Sequence, residues 1–268
     1  PIIHCVSPTV WAWGRWRAKK FANSFDGLLC LFPFEPEYFC QYHLDTHFIG
    51  HPEAFKHYEP KKWVKGKECV SRQIALLPGS RRSEIKFMFP EMLVAANILK
   101  RHDPRFSFVV PTLASLLPLV KSYADGYDVD IIEEPTDLIS ILQSSVAMIA
   151  SSGTITLQAA LCGTIGVTCY RTGTLSAFIG RYLVDLDKVI LPNAILGRSL
   201  YPFYFQETVT GKTLASAILD AVEDRGANER MVGAASELRT LLTGNQPAFS
   251  DLVVAALQNW LGPPKKSA

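Results

Sequence analysis

No two of the six cysteines stand at Cys-x-x-Cys spacing to complete a zinc-type ligand set, so no metal centre is expected. Cys5, Cys30, Cys40, Cys69, Cys162 and Cys169 fall mostly inside apolar runs, the pattern of free thiols in a reducing compartment rather than of a disulfide framework. No apolar stretch reaches the roughly 18 residues that mark a membrane-spanning helix, and no signal peptide is expected. Net charge is only +2, and no RNP, helix-turn-helix or zinc-finger spacing occurs, which excludes a nucleic-acid partner. No Gly-Lys-Ser/Thr follows the Ser151–Thr154 turn, so that loop is not a Walker A loop; no G-x-G-x-x-G follows the first strand, which argues against a nicotinamide or flavin cofactor; no G-x-S-x-G elbow occurs, which argues against a serine hydrolase.

What is present is a globular composition, 48% hydrophobic and 19% charged over 268 residues, with room for two domains of roughly 100–200 residues each. Residues 1–6 read as a strand, Trp11–Phe25 as a helix rich in Arg and Lys, and Leu28–Phe32 and Thr46–Ile49 as further strands. The chain begins inside a buried-strand pattern, which predicts further sequence upstream. Residues 53–72 are polar and without period, a linker between a first part (1–72) and a second (73–268). In the second part, strands are expected at Gln73–Leu77, Phe106–Val110, Asp130–Ile132, Val146–Ala150, Gly166–Cys169 and Lys188–Leu191. Helices are expected at 84–100, 113–124, 136–143, 154–162 and 174–184, with three tail helices near 211–223, 227–242 and 247–261. Apolar strands alternating with helices predict a parallel α/β sheet covered on both faces.

Ligands of such sheets bind at the carboxyl ends of the strands. That rule selects Gly79-Ser80-Arg81, Pro111-Thr112, Glu133-Glu134-Pro135, Ser151-Ser152-Gly153-Thr154 and Pro192-Asn193. The turn Pro78-Gly79-Ser80 lets a ligand approach the backbone, a helix start beyond Ser83 offers unpaired N–H groups, and Arg81 adds a planar cation suited to phosphate oxygens. The alternative is an ordinary loop with a solvated arginine pair. Ser151–Thr154 is a second strand-turn-helix whose hydroxyls and N–H groups suit a diphosphate, against the alternative of plain helix capping. Together the two turns favour a nucleotide or sugar-phosphate ligand. Glu133-Glu134-Pro135 reads as the acidic top of a helix, with acid/base work as the alternative. Trp11, Trp13 and Trp16 beside Arg15, Arg17, Lys19 and Lys20 either meet an anionic membrane surface or form a helix with buried tryptophans, and the second reading is slightly favoured.

Six stretches in this order carry a family resemblance: Val6-Ser7-Pro8-Thr9-Val10-Trp11-Ala12-Trp13, Leu31-Phe32-Pro33-Phe34-Glu35, Phe48-Ile49-Gly50-His51-Pro52, Leu76-Leu77-Pro78-Gly79-Ser80-Arg81, Ser152-Gly153-Thr154-Ile155-Thr156-Leu157 and Leu191-Pro192-Asn193. The chain resembles bacterial lipid-A-disaccharide synthases over most of its length. The resemblance implies a GT-B fold, two Rossmann-like halves with the site between them and the first half incomplete here, and a tail helix that returns to the first half. It implies an inverting glycosyltransferase that joins UDP-2,3-diacylglucosamine to 2,3-diacylglucosamine 1-phosphate (lipid X), without a cofactor or metal, on the cytoplasmic face of the inner membrane. Carried over by motif, Arg81 neutralises the departing diphosphate; Ser80, Ser152, Gly153, Thr154, Gln158, Asn193 and Gln206 hold the nucleotide-sugar. A homodimer through the tail helices stays open.

Three positions depart from the family pattern, which usually has Glu at Gln158 and Phe203 and Arg at Gly14. The resemblance also implies roughly one hundred further residues upstream, about one small domain, carrying the general base in an Asp-Ser-Pro-Asp-Phe-like stretch. The polypeptide is therefore expected to bind UDP or its sugar without turnover. The rival expectation is a non-catalytic remnant of a split or decayed gene; a UDP-sugar epimerase on the same architecture is the weaker enzyme reading.

Overall fold

A computed structural model describes residues 1–56, 58, 72–173 and 189–262. The first part forms a parallel sheet, β1 (Ile3–Cys5), β2 (Gly27–Cys30) and β3 (Asp45–Phe48), in the order β1-β2-β3. All four residues of the central strand are buried, which is why it reads as an unbroken apolar run. The connecting helix is much shorter than its sequence suggests: α1 spans Arg17–Ala22 only. Gly14 at φ +71° lies outside helical geometry, so Trp11–Trp16 form turns instead. A one-turn helix, α2 (Pro52–Phe55), begins where the linker is expected; His51 Nδ1 accepts the Glu53 N–H at 3.2 Å to cap it. Most of the expected linker lies outside the described residues.

The second sheet has β4 (Arg72–Leu77), β5 (Phe106–Thr112), β6 (Asp130–Glu133), β7 (Ala147–Ser151), β8 (Ile165–Tyr170) and β9 (Phe203–Phe205), all parallel, in the order β6-β5-β4-β7-β8-β9. Strands β4 and β7 are neighbours, with Leu77 opposite Ala150. From β4 the chain steps outward to β5, whereas from β7 it steps outward the other way to β8. That reversal leaves a crevice above the carboxyl ends of β4 and β7.

The helices of this part are α3 (Arg82–His102), α4 (Leu117–Ala124), α5 (Leu138–Ser144), α6 (Ile155–Leu161), α7 (Leu191–Leu196), α8 (Gly211–Glu223), α9 (Ala227–Thr243) and α10 (Phe249–Leu261). They bury Ile74, Leu76, Met88, Met148, Leu157 and Leu238 in one continuous core. The strand expected at Lys188–Leu191 is not formed. Leu191 opens α7, where Pro192 suits the first helical turn, and the edge strand is instead Phe203–Phe205. Short apolar runs do not distinguish strand from helix. The helix expected at 174–184 lies outside the described residues. Among those residues no helix is long and apolar enough to cross a membrane.

Helix α10 packs on the first sheet, as the resemblance implies. Leu252, Val253, Ala256 and Trp260 meet Leu29 and Ile49. Gly27 on β2 allows this approach, because a Cβ there would stand 2.5 Å from Trp260 Cζ2. Gly27→Ala is therefore expected to lower stability by about 1–3 kcal/mol in urea unfolding through overpacking. Adding Trp260→Leu should recover part of that loss.

Candidate active site

The first turn of the crevice is built around a carboxylate. Gly79 sits at φ +109°, and a Cβ there would lie 2.2 Å from Glu84 Oε2, so only glycine fits. Glu84, in the first turn of α3 and buried, folds back over the turn. Its Oε2 accepts the N–H groups of Ser80 (2.9 Å) and Arg81 (3.2 Å), and its Oε1 accepts Arg81 Nη1 at 2.8 Å. The chain's own glutamate, at the capping position three residues past Arg81, has thus taken the two N–H groups of the turn itself, while those of Arg82 and Ser83 at the helix start donate to no protein acceptor among the described residues. Ser83 lies inside the first turn of α3, and Arg81 is the N-cap. The Arg81 side chain is 75% exposed. Its bridge to Glu84 is then worth only about 0–1 kcal/mol and leaves the guanidinium free to swing to a ligand.

The second turn keeps its own donors open. Ser152 donates its N–H to the Cys169 carbonyl and its Oγ to the Val189 carbonyl, both at 3.1 Å. The Gly153 carbonyl accepts from Thr156 N–H and Oγ1. The N–H groups of Gly153 and Thr154 donate to no protein acceptor among the described residues, and Thr154 makes no side-chain cap to α6. Ser151 Oγ, at the buried end of β7, likewise has no partner among the described residues. Plain capping therefore does not explain this turn.

Both turns open on one cavity of about 480 Å³, walled also by Pro111–Leu113 at the end of β5 and by Pro135, Leu138, Ile155 and Gln158. Of the sequence-selected residues, Ser80, Arg81, Ser152, Gly153, Thr154 and Gln158 meet here. Asn193 and Gln206 do not line it. Asn193 sits in α7, where its Oδ1 accepts the N–H groups of Leu200 and Tyr201 and its Nδ2 donates to the Tyr201 carbonyl. Gln206 lies beyond β9, two strands from β7, with Oε1 3.4 Å from Thr172 N and Nε2 unpartnered among the described residues. Pro135 does not open a helix; Asp137 caps α5, accepting Ser140 N–H at 3.0 Å, and Glu134 turns at φ +40°.

Two glutamates of the first part also matter. Glu53 Oε2 accepts Gln158 Nε2 at 3.0 Å, a hydrogen bond from one half of the chain to the cavity wall of the other. Glu35 is 2% exposed and accepts Trp11 Nε1 (3.2 Å), Leu31 N–H and Phe32 N–H (3.0 Å each), tying the loop after β1 to the loop after β2. Phe32 stacks on His51 with ring centres 5.5 Å apart. Burial pushes the Glu35 carboxyl up to about 7, against the lowering effect of its N–H donors. An acid inside Phe-Pro-Phe-Glu was the sequence signal for Glu35. Glu53 carried none, because its partner is 105 residues away.

Two parallel α/β sheets, with a crevice at the strand-order reversal of the second, define the fold of GT-B glycosyltransferases. Solved structures share it. A putative UDP-N-acetylglucosamine 2-epimerase from Listeria monocytogenes aligns with TM-score 0.57 at 15% identity, over 92% of this chain and 62% of that one. The calicheamicin glycosyltransferase CalG4 aligns with TM-score 0.51 at 14% identity, over 89% and 54%. Within that class the sequence is decisive: the profile of the lipid-A-disaccharide synthetase family matches residues 1–247, and the chain belongs to that family. It is 29% identical to lipid-A-disaccharide synthase of Nitrosococcus oceani, over 96% of this chain and 68% of that protein. It is 33% identical to those of Anaeromyxobacter sp., over 90% and 65%, and Rhodopseudomonas palustris, over 96% and 67%. The chain thus spans about two thirds of the length of these relatives.

The Glu35 environment generates a pH prediction. A folded-state pKa raised to about 7 favours the neutral acid, so its stabilising contribution is full below the ordinary value of 4.5 and is lost as pH rises through about 7. His51, lowered by burial, acts with the opposite sign as pH falls. Thermal unfolding from pH 5 to 8 should show a stability loss of up to about 3 kcal/mol that Glu35→Gln removes, leaving the His51 contribution in both proteins.

Proposed function

We propose that this chain is the donor-binding portion of an inverting glycosyltransferase that joins UDP-2,3-diacylglucosamine to lipid X, giving lipid A disaccharide 1-phosphate and UDP. The observation that carries the reading is the cavity at the β4/β7 reversal, walled by two backbone turns and one swinging arginine. The free N–H groups of Gly153 and Thr154 suit diphosphate oxygens. Arg81, held only by a surface bridge, is free to follow the negative charge that grows on UDP as the glycosidic bond breaks, the stage at which an electrostatic contact accelerates the reaction. Ser80 and Ser152 shape the two turns, and Gln158 offers an amide to a sugar or ribose hydroxyl. Family membership supports this donor and acceptor pair.

Both substrates carry acyl chains, so the reaction belongs at a bilayer surface, here the cytoplasmic face of the inner membrane. Trp13 and Trp16 are exposed beside Arg15, Arg17, Lys19 and Lys20, and the Arg17 guanidinium lies 3.9 Å over the Trp13 ring. Aromatic rings with adjacent cations suit an anionic headgroup layer.

Calorimetric titration tests the donor site. UDP should bind the 268-residue chain, and Arg81→Ala should weaken it about tenfold, ~1.4 kcal/mol; a folded chain that takes up no UDP overturns the reading. For the surface, the chain should float with phosphatidylglycerol vesicles and not with phosphatidylcholine vesicles, and the double change Trp13→Ala, Trp16→Ala should abolish flotation.

A further inference from the structure

We propose that Glu53 is a positioning residue that locks the Gln158 amide with its carbonyl oxygen toward the donor cavity, so that this wall reads a ligand hydroxyl and rejects an oxyanion. The inference rests on the donor-site reading and adds a residue from the other half of the chain to it.

The argument is one of hydrogen-bond polarity. An amide side chain can present either end, and both ends of glutamine are nearly the same size. A carboxylate only accepts, so whatever faces Glu53 Oε2 at 3.0 Å must be the NH2. Glu53 is held as the charged form. Burial alone would raise its pKa, but hydrogen bonds from Lys56, Tyr58 and Gln158 outweigh this and keep the carboxyl below its usual range. Gln158 Oε1 is then the end that remains, and it accepts no hydrogen bond among the described residues while Gln158 lines the cavity. An amide carbonyl there welcomes an O–H donor and repels a phosphate oxygen.

Glu53 cannot easily turn away. Its Oε1 accepts Lys56 Nζ at 2.6 Å, and the Tyr58 hydroxyl donates to its Oε2. Its backbone N–H is held by His51. Tyr58 is anchored to the second half, because its carbonyl accepts Arg239 Nη2 of α9 at 3.1 Å. The carboxylate is thus fixed relative to α6 from both sides. The cavity divides accordingly: N–H groups and Arg81 at the turns for oxyanions, and a bare carbonyl on α6 for a hydroxyl.

Charge swapping across the pair tests this. Gln158→Glu sets two carboxylates about 3 Å apart. At pH 8 it should weaken UDP binding about tenfold or more, and lowering the pH to about 5.5 should restore much of the loss as the pair shares one proton. Adding Glu53→Gln should bring affinity at pH 8 to within about threefold of the parent, since an amide at 53 donates to a carboxylate at 158. Lys56, His51 and Tyr58 beside Glu53, Arg81 and Glu84 across the cavity, Cys162 just past α6 and Arg239 on α9 are other ionisable groups around the pair. The parent, titrated over the same range, removes their contribution. Parent-like binding by Gln158→Glu at pH 8, or a double variant no better than the single, overturns the proposal. A ligand-free cycle keeps it separate from the donor-site reading. Thermal unfolding of the four proteins at pH 8 should show Gln158→Glu destabilised and the double variant recovered, even in a chain that binds no UDP. Destabilisation without recovery overturns the pairing whatever UDP does.

Discussion

Everything at the site follows from the reversal of strand order between β4 and β7. Two adjacent parallel strands send their chains away in opposite directions, so nothing that follows either strand covers the space above both ends. The register that sets Leu77 beside Ala150 brings two turns, 78–81 and 151–154, to the same rim. Neither turn would make a cavity alone. Their adjacency does, and β5 and α6 wall what lies between.

Given that crevice, the distribution of hydrogen-bond capacity decides its chemistry. One turn is closed on itself by Glu84, which leaves an exposed arginine as its contribution. The other keeps N–H groups and a buried hydroxyl unspent. The division has a physical advantage for a diphosphate: fixed dipoles need no reorganisation, whereas an exposed guanidinium can follow charge that appears only as the leaving group departs.

Among the described residues the two halves are held together through polar contacts, one helix and the packing of Trp11, Phe32, Ala54 and Tyr58 into the large core. The His51 N–H donates to the Leu242 carbonyl at 3.0 Å, Arg239 reaches Tyr58, Gln158 reaches Glu53, and α10 lies across the first sheet. A Cβ at Gly50 would lie 2.6 Å from that same Leu242 carbonyl, so the left-handed turn before His51 is also a condition of close approach. Glu35 works on the same edge, holding the Trp11 and Phe32 loops where they join the large core.

Periodicity and turn chemistry in the sequence determined the parallel α/β architecture, the order of most elements and the two turns that matter, because strand and helix patterns and glycine geometry are local properties. Motif order alone pointed to the family. Local signals failed where they compete: a short apolar run before Pro192 became helix, and Gly14 cut α1 short. Only the tertiary structure decided that Asn193 braces its own loop and that Glu53 meets Gln158. Those outcomes depend on which acceptor comes within about 3 Å of a given donor, and for residues a hundred positions apart that distance exists only once the two halves have packed.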